Sequence, residues 1–423
     1  MDMKQNKIES TSKIKELIYN FYMETRELCS QKYNMAESEN ISVIYETIQE
    51  KSLIQLLFAK VSIVILTANK YEKNIFHANW YEKERKKIRR FTIKLFPQRD
   101  DQQETYGYFL SWHGYNILHI EAQTTGAYTL GGSADIVRYV LENMYLYPTV
   151  IISLGICFGI NEQKQTLGDT VISEKIYPYF MGVKYDESGR FITDNNMFRL
   201  QSVLRRKIKS EIIDTNILNN LNFNTYFGNY ITGEAVISNK EIRDHFAQST
   251  NQKASAGDME GYGLFKECCG GNFVIPCVII KSICDWGVMK NIIDRSSFDE
   301  IFINNNINDK EFDSIKDRLQ AYASYNACCV LEKFLEKQIF DQSIYTKLKD
   351  EIKMQEHERV IHMKRVIEIV KNITTKIFNR SMYSYEFSLT CCKAMEQEGI
   401  LSYINPNNIN KEDGNILWKI EEK

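Results

Sequence analysis

Apolar residues recur at helical spacing near the start of the chain. Ile14, Leu17, Ile18, Phe21, Tyr22, Thr25 and Leu28 mark one amphipathic segment across residues 12–30, and residues 44–58 repeat the pattern. The spacing predicts a helical hairpin. From Val61 to Leu66 the pattern becomes a short unbroken β-branched run, as expected of a strand buried on both faces, and the string from Thr67 to Glu72 then turns into a helix. Residues 106–112 and 115–122 flank His113-Gly114, a hairpin signal. Residues 123–132 are a polar, glycine-bearing loop ahead of a helix carrying Tyr139 and Leu141. Residues 149–154 read as another buried strand, ended by Gly155-Ile156-Cys157-Phe158-Gly159, and residues 168–173 as the next. A helix over 198–212, a strand over 230–237, a buried strand over 273–283 and a long helix over 318–335 follow. This alternation predicts an α/β fold with a mixed, mostly parallel central sheet flanked by helices. Beyond residue 338 the texture is charged and helical. Val360, Met363, Ile367, Val370 and Ile377 form one stripe within a helix over 343–378, a second helix spans 385–399, and residues 401–404 and 416–420 suggest a terminal hairpin around Asp413-Gly414.

Glycine marks the division. Of 20 glycines, all but Gly399 and Gly414 fall between Gly107 and Gly287, where turns and close backbone approaches need them. We therefore expect a helical N-terminal extension over residues 1–60, an α/β domain over 61–338 and a helical C-terminal domain over 339–423. Lys plus Arg (53) nearly balance Asp plus Glu (55), so no overall field favours nucleic acid or an anionic membrane. No run has the apolar length of a membrane span and the N-terminus is polar, which predicts a soluble cytoplasmic protein. The ten cysteines include the adjacent pairs Cys268-Cys269, Cys328-Cys329 and Cys391-Cys392, a spacing that suits neither routine disulfides nor zinc. The six histidines are scattered, so neither a metal nor another cofactor is expected.

Three carboxylates stand out by position: Glu72 after the first buried strand, Glu260 entering a helix, and Asp285 just past the strand over 273–283. Open α/β sheets place ligands at such strand ends. Cleaving a glycosidic C–N bond needs an acid for the leaving base, a group on the sugar hydroxyls and a base for water. The loop bearing Thr125 and Gly126 offers backbone N–H groups to a sugar or phosphate. The charge run from Lys83 to Arg90 reads first as a solvated face, and in a sharper reading Arg89 and Arg90 clamp a 5′ phosphate. Met259, Phe158 and Trp286 are each as readily core packing as pocket wall.

Gly257-Asp258-Met259-Glu260 followed by Lys281-Ser-Ile-Cys-Asp285 resembles signatures of the nucleoside phosphorylase superfamily, and within it the 5′-methylthioadenosine/S-adenosylhomocysteine nucleosidases. Thr67-Ala68 to Glu72, Gly155 to Gly159, Leu167-Gly-Asp169, Gly233 to Ile237, Phe298-Asp-Glu300 and the helix around 320–331 match in the same order, so the similarity spans residues 61–338. The resemblance implies a hydrolytic N-glycosidase releasing a purine base, adenine above all, from a small-molecule nucleoside or nucleotide. It implies Asp285 as the acid at purine N7, Glu260 on the ribose hydroxyls, Met259 beneath the ribose and Glu72 as the water-activating base. Val236 and Ile237 would read the adenine edge through their backbone. Such an acid must hold its proton near neutral pH. A homo-oligomer is implied too. The extensions suggest a protein partner or activator, and the resemblance to multidomain members implies a nucleotide-depleting effector of bacterial antiviral defence. Two departures stand out: Cys157 and Phe158 replace small residues beside the base, and Cys284 replaces a serine before the acid. The alternatives are a phosphorolytic enzyme, against which a carboxylate at Glu72 would repel phosphate, and a non-catalytic nucleotide-sensing or scaffold module.

Overall fold

Runs of β-branched residues with no polar face can be satisfied only in the middle of a sheet. The computed structural model places them there. It describes residues 43–93, 105–128, 130–144, 146–179, 183–185, 191–193, 197–210, 217–234, 236–237, 239–249, 254–270, 274–287, 309–354, 360–378, 385–404 and 417–420. The chain opens with β1 (Tyr45–Thr47), α1 (Lys51–Lys60), β2 (Ile63–Thr67), α2 (Lys70–Glu84), β3 (Ile88–Ile93), β4 (Thr105–Trp112) and β5 (Tyr115–Glu121). Then come α3 (Ser133–Arg138), β6 (Val150–Gly159), β7 (Thr170–Pro178), β8 (Val183–Tyr185), β9 (Phe191–Thr193), β10 (Phe198–Arg199), α4 (Ser202–Ile208), β11 (Thr225–Thr232), α5 (Lys240–Ser249), β12 (Ala254–Asp258), α6 (Gly261–Gly270) and β13 (Cys277–Asp285). The last part holds α7 (Asp309–Glu336), α8 (Ile344–Met354), β14 (Val360–His362), α9 (Met363–Phe378), α10 (Tyr385–Gln397), β15 (Leu401–Ile404) and β16 (Leu417–Ile420).

The main sheet runs β1-β3-β4-β5-β2-β6-β12-β11-β7-β10, with β13 paired to both β6 and β7. Those pairings close β6, β13, β7, β11 and β12 into a ring, and β5, β4, β3 and β1 continue from β2 as an open wing. Among the described residues the sheet has six parallel pairings and five antiparallel ones. It is mixed, with the parallel share only slightly ahead. β6 is central: β2 and β13 flank it in parallel, while β12 runs against it. One face of α7, with Ala327, Val330 and Leu331 fully buried, joins the same apolar cluster as β6 and β13.

Four local expectations are corrected. Residues 44–58 are not one helix, because Tyr45 to Thr47 pair with Ile88 to Arg90 before α1 begins at Lys51. Tyr and Thr fit a pleated edge better than a helix start, and the Ile48 N–H closes the junction on the Arg90 carbonyl at 2.8 Å. The expected helix over 12–30 lies outside the described residues. Strand β6 does not stop at Leu154 but runs through the glycine segment to Gly159, held by β13 and β12 on either side. The segment from Phe198 starts as β10, paired to β7, before α4 begins at Ser202. The stretch 343–378 is two helices broken by β14, which joins β16 and β15 in a three-stranded antiparallel sheet, so the expected terminal hairpin gains a third strand.

The C-terminal helices share a core with the α/β part. Leu348, Val370, Cys391, Met395 and Trp418 belong to the same buried cluster as Leu56, Val64 and Leu118. Glu398 accepts hydrogen bonds from Lys60 on α1 and from Lys349 on α8, both at 2.7 Å. The nine described cysteines are free thiols. No helix among the described residues is long and apolar enough to cross a membrane.

Candidate active site

Thr67 ends β2, and Asn69 begins the next helix as its N-cap, accepting from the Tyr71 and Glu72 N–H groups at 3.0 and 3.1 Å. Glu72 returns the bond in a capping box, its Oε2 accepting from Ala68 at 2.5 Å and from Asn69 at 3.3 Å. Its other oxygen reaches across to β6, where the Ile156 N–H donates at 2.9 Å. That reach is possible only because residue 155 is glycine: a Cβ there would overlap the Glu72 carboxylate, and its φ of 148° suits no other residue. Glu72 is 2% exposed, and burial pushes its pKa up to about 7, against the Lys281 ammonium, which lowers it, and with Glu260, which raises it. A carboxylate offers about four lone-pair directions, and backbone N–H groups take three, which leaves one for water.

Lys281 lies in β13 opposite Gly155, directly after the apolar run Cys277 to Ile280, and is 1% exposed. A buried ammonium must be paired. Its Nζ donates to Glu260 Oε2 at 2.6 Å and forms an ion pair with Asp258 Oδ2 at 3.0 Å. Burial disfavours its charge, but Asp258, Glu260 and Glu72 outweigh that and hold it protonated. Asp258 is raised by its own burial, with Lys281 opposing. Its Oδ1 accepts from the Gly261 N–H at 3.1 Å, fixing the start of α6. Glu260 Oε1 accepts from the Gly126 N–H at 3.3 Å, and its backbone carbonyl from Ser133 Oγ at 2.7 Å. The loop thus docks on the carboxylates.

Asp285 stands opposite Phe158 in the β13–β6 register, after a β-bulge. Its carboxylate accepts from the Gly287 N–H at 2.7 Å and from the Cys284 thiol at 3.4 Å, so a backbone amide supplements the weak thiol donor at the departure from serine. Phe158 lies three positions beyond Gly155 along β6, about 10 Å at strand rise, so the Asp285 and Glu72 positions are set apart along that strand. Phe158 lies over Gly257 and belongs to one buried cluster with Ile237, Tyr177 and Tyr179. The Trp286 ring covers Gly159.

Glu72 meets β6 at Gly155 and Ile156 and Asp285 stands opposite Phe158, while strand directions differ from the expected set of parallel neighbours. Glu72 and Asp285 come from strands parallel to β6, whereas Glu260 arrives from the antiparallel β12. Cys157 is buried in the core beside Tyr230, and burial raises its thiol far above the usual range. Ile237 is buried, Val236 is half exposed and Met259 is partly buried. Thr125 is exposed beside the docked Gly126. Arg89 and Arg90 are not in the site. They lie early in β3, four strands from β6, where Arg90 bonds Thr47 at 2.9 Å and covers the Tyr45 and Tyr106 rings, while Arg89 lies 3.6 Å from Glu46. The reading of these arginines as a clamp on the substrate phosphate is corrected: strand order carries them to the far wing. His113, Glu332 and Glu336 have ligand atoms within 4.8 Å of one another, but Glu332 is already bonded to Lys83. Sequence reasoning gave no role to Asp258 or Lys281. A lysine inside an apolar strand run was the available signal.

No protein-family model matches the chain, and no curated protein does. Among solved structures the chain is similar to the 5′-methylthioadenosine/S-adenosylhomocysteine nucleosidase from Neisseria meningitidis in complex with methylthio-immucillin-A, at 14% identity over 65% of this chain and 98% of that one, with a TM-score of 0.45. It is likewise similar to the Helicobacter pylori enzyme of the same description, at 15% identity over 66% and 99% with a TM-score of 0.46. A putative nucleosidase of this kind from Borrelia burgdorferi, bound to adenine, is similar at 19% identity over 64% and 98% with a TM-score of 0.43.

Proposed function

We propose that the chain is a hydrolytic N-glycosidase acting on a purine nucleoside. The observation that carries this reading is the Glu72 carboxylate, seated over Gly155 with three backbone donors, one lone pair to spare and a pKa near 7. That is a general base poised for water at neutral pH. As the C–N bond stretches, the sugar becomes cationic and the base gains electrons. Glu260, oriented by Lys281 and Gly126, faces the first charge, and Asp285 supplies a proton to the second. Phosphorolysis is disfavoured because the carboxylates of Glu72, Asp258 and Glu260 crowd around the Lys281 ammonium, a field that repels a phosphate dianion. The same field favours a substrate with an uncharged 5′ substituent over a nucleotide, which weighs against depletion of nucleotides as the role.

The test is base release by chromatography from adenosine, methylthioadenosine, S-adenosylhomocysteine, AMP, ATP and NAD, with and without phosphate, beside an Asp285→Asn control. Free adenine from the nucleosides, independent of phosphate and lost in the control, is the expected result. Turnover that requires phosphate, or adenine released from ATP in preference to adenosine, would overturn it.

A further inference from the structure

A cavity of about 400 Å³ opens at the other end of the sheet from the carboxylate cluster. Asn116, on its wall, accepts from the Ser62 N–H at the start of β2, the opposite end of that strand from the turn bearing Glu72. Four cations line it: Lys60 from α1, Lys86 and Lys87 from the turn before β3, and Arg89 from β3 itself. Glu46 is the single acid among them. The cations are incompletely neutralised. Lys60 pairs with Glu398 at 2.7 Å, Lys86 with Glu84 at 2.8 Å and Arg89 with Glu46 at 3.6 Å, while Lys87 has no acidic partner among the described residues. Beneath the charges the floor is apolar, formed by Leu57, Phe109 and Ile117.

We infer that this cavity binds a phosphorylated small molecule of mononucleotide size, at a site separate from the candidate active site. The volume falls within the range of about 300–1,000 Å³ usual for small-molecule sites. Lys87 is left unpaired among the described residues, and Lys60, Lys86 and Arg89 can each exchange a solvent-accessible carboxylate for a phosphate oxygen, so a di- or triphosphate can engage all four, Arg89 through its planar fork and the lysines as point charges. The apolar floor takes the organic part. Lys60 links the cavity to the C-terminal helices, because an anion bound there competes with Glu398 for the same ammonium.

The probes are inorganic tripolyphosphate and ATP, titrated calorimetrically into the full-length protein carrying Asp285→Asn. Tripolyphosphate has no base or sugar, and the carboxylate-lined site repels it, so its binding reports the cavity alone. We expect one equivalent to bind at 20 mM salt and to weaken at least tenfold at 200 mM. The exposed double variant Lys87→Glu/Arg89→Glu should lose at least tenfold in affinity with its circular dichroism unchanged, and Lys87→Arg/Arg89→Lys should retain binding. ATP should bind at least as tightly as tripolyphosphate, since its adenosine has the floor to rest on. Absence of tripolyphosphate binding, equal binding by the charge-reversed variant, or binding of tripolyphosphate without ATP would each overturn the inference.

Discussion

Gly155 is the residue on which the candidate chemistry turns, because the space its Cβ would fill is taken by the Glu72 carboxylate. Gly155→Ala should displace that carboxylate by an ångström or more and reduce kcat/KM on the active nucleoside by about 100-fold or more. Activity within threefold of wild type would show that Glu72 does not act from this seat. The pH profile tests the same group differently. Its pKa is raised to about 7, so the base form gains as pH rises, and kcat/KM should climb through pH 7 and level above it. Glu72→Gln should remove that limb along with most of the rate. A limb centred below pH 5 in the wild type would contradict the assignment. Lys281 governs the cluster: Lys281→Met leaves Asp258 and Glu260 buried without their cation and should cost about 3–5 kcal/mol in urea unfolding at pH 7. The loss should shrink at pH 5, where protonation neutralises carboxylates that no longer have a partner. The positions of Glu72 and Asp285 at strand ends and of Glu260 at a helix start were legible in the sequence. The partnership of Lys281 with Asp258 and Glu260 was not, since it depends on which strands are neighbours and in which register.

At the scale of elements, an unbroken chain of hydrogen bonds ties the open wing of the sheet together. Tyr45 Oη in β1 meets His77 Nδ1 in α2 at 2.9 Å, His77 Nε2 meets His119 Nδ1 in β5 at 2.8 Å, and His119 Nε2 meets Thr67 Oγ1 in β2 at 3.0 Å. A neutral imidazole has one donor and one acceptor, so all three bonds must run in the same direction. Both rings are fully buried, and burial lowers His77 from 6.5 to about 3 and His119 well below 6.5, with nearby Lys73 adding to the effect on each. The unfolded chain therefore binds protons that the folded one refuses. Stability from these rings is complete above pH 6.5 and is lost as pH falls towards 3, by up to about 1.4 kcal/mol per pH unit for each ring. Urea unfolding between pH 7.5 and 5 should show that slope, and His77→Gln should reduce it by close to one proton. An unchanged slope would mean that neither ring is neutral in the fold. In sequence the histidines looked scattered, because 42 residues separate His77 from His119 and only the sheet joins them. Buried strands β2 and β13 and the β4–β5 hairpin were legible from pattern alone. Strand β1 was not, since Tyr45 to Thr47 is too short to show alternation and owes its conformation to β3. Strand β14 was hidden likewise inside a helical stripe.

For the whole molecule, the question is whether residues 339–423 form an appendage or part of the body. Residue pattern suggested an appendage, because glycine thins out and charged helices begin. The contacts favour one body. Leu348, Val370, Met395 and Trp418 share a buried cluster with Leu56 and Val64, the Tyr147 and Phe387 rings meet edge to face at 4.9 Å, and Glu398 is bonded to both Lys60 and Lys349. Removing α8, α9 and α10 would expose apolar residues of α1, which a polar solvent penalises at about 25 cal/mol per Å². Truncation after Gln338 should therefore give an aggregating or molten product, where a true appendage would leave a folded remainder. In the full chain, calorimetry should show one transition, and amides of α9 and α10 should exchange by the same global opening as those of β2 and β6. Two resolved transitions, with α9 and α10 exchanging first, would instead mean that the C-terminal part can open while the site-bearing sheet stays folded. The single transition is expected because α1 is shared. Its Leu56 side chain sits in that common core and its Lys60 head holds Glu398, so the terminal helices cannot leave without unmaking the layer that covers the sheet.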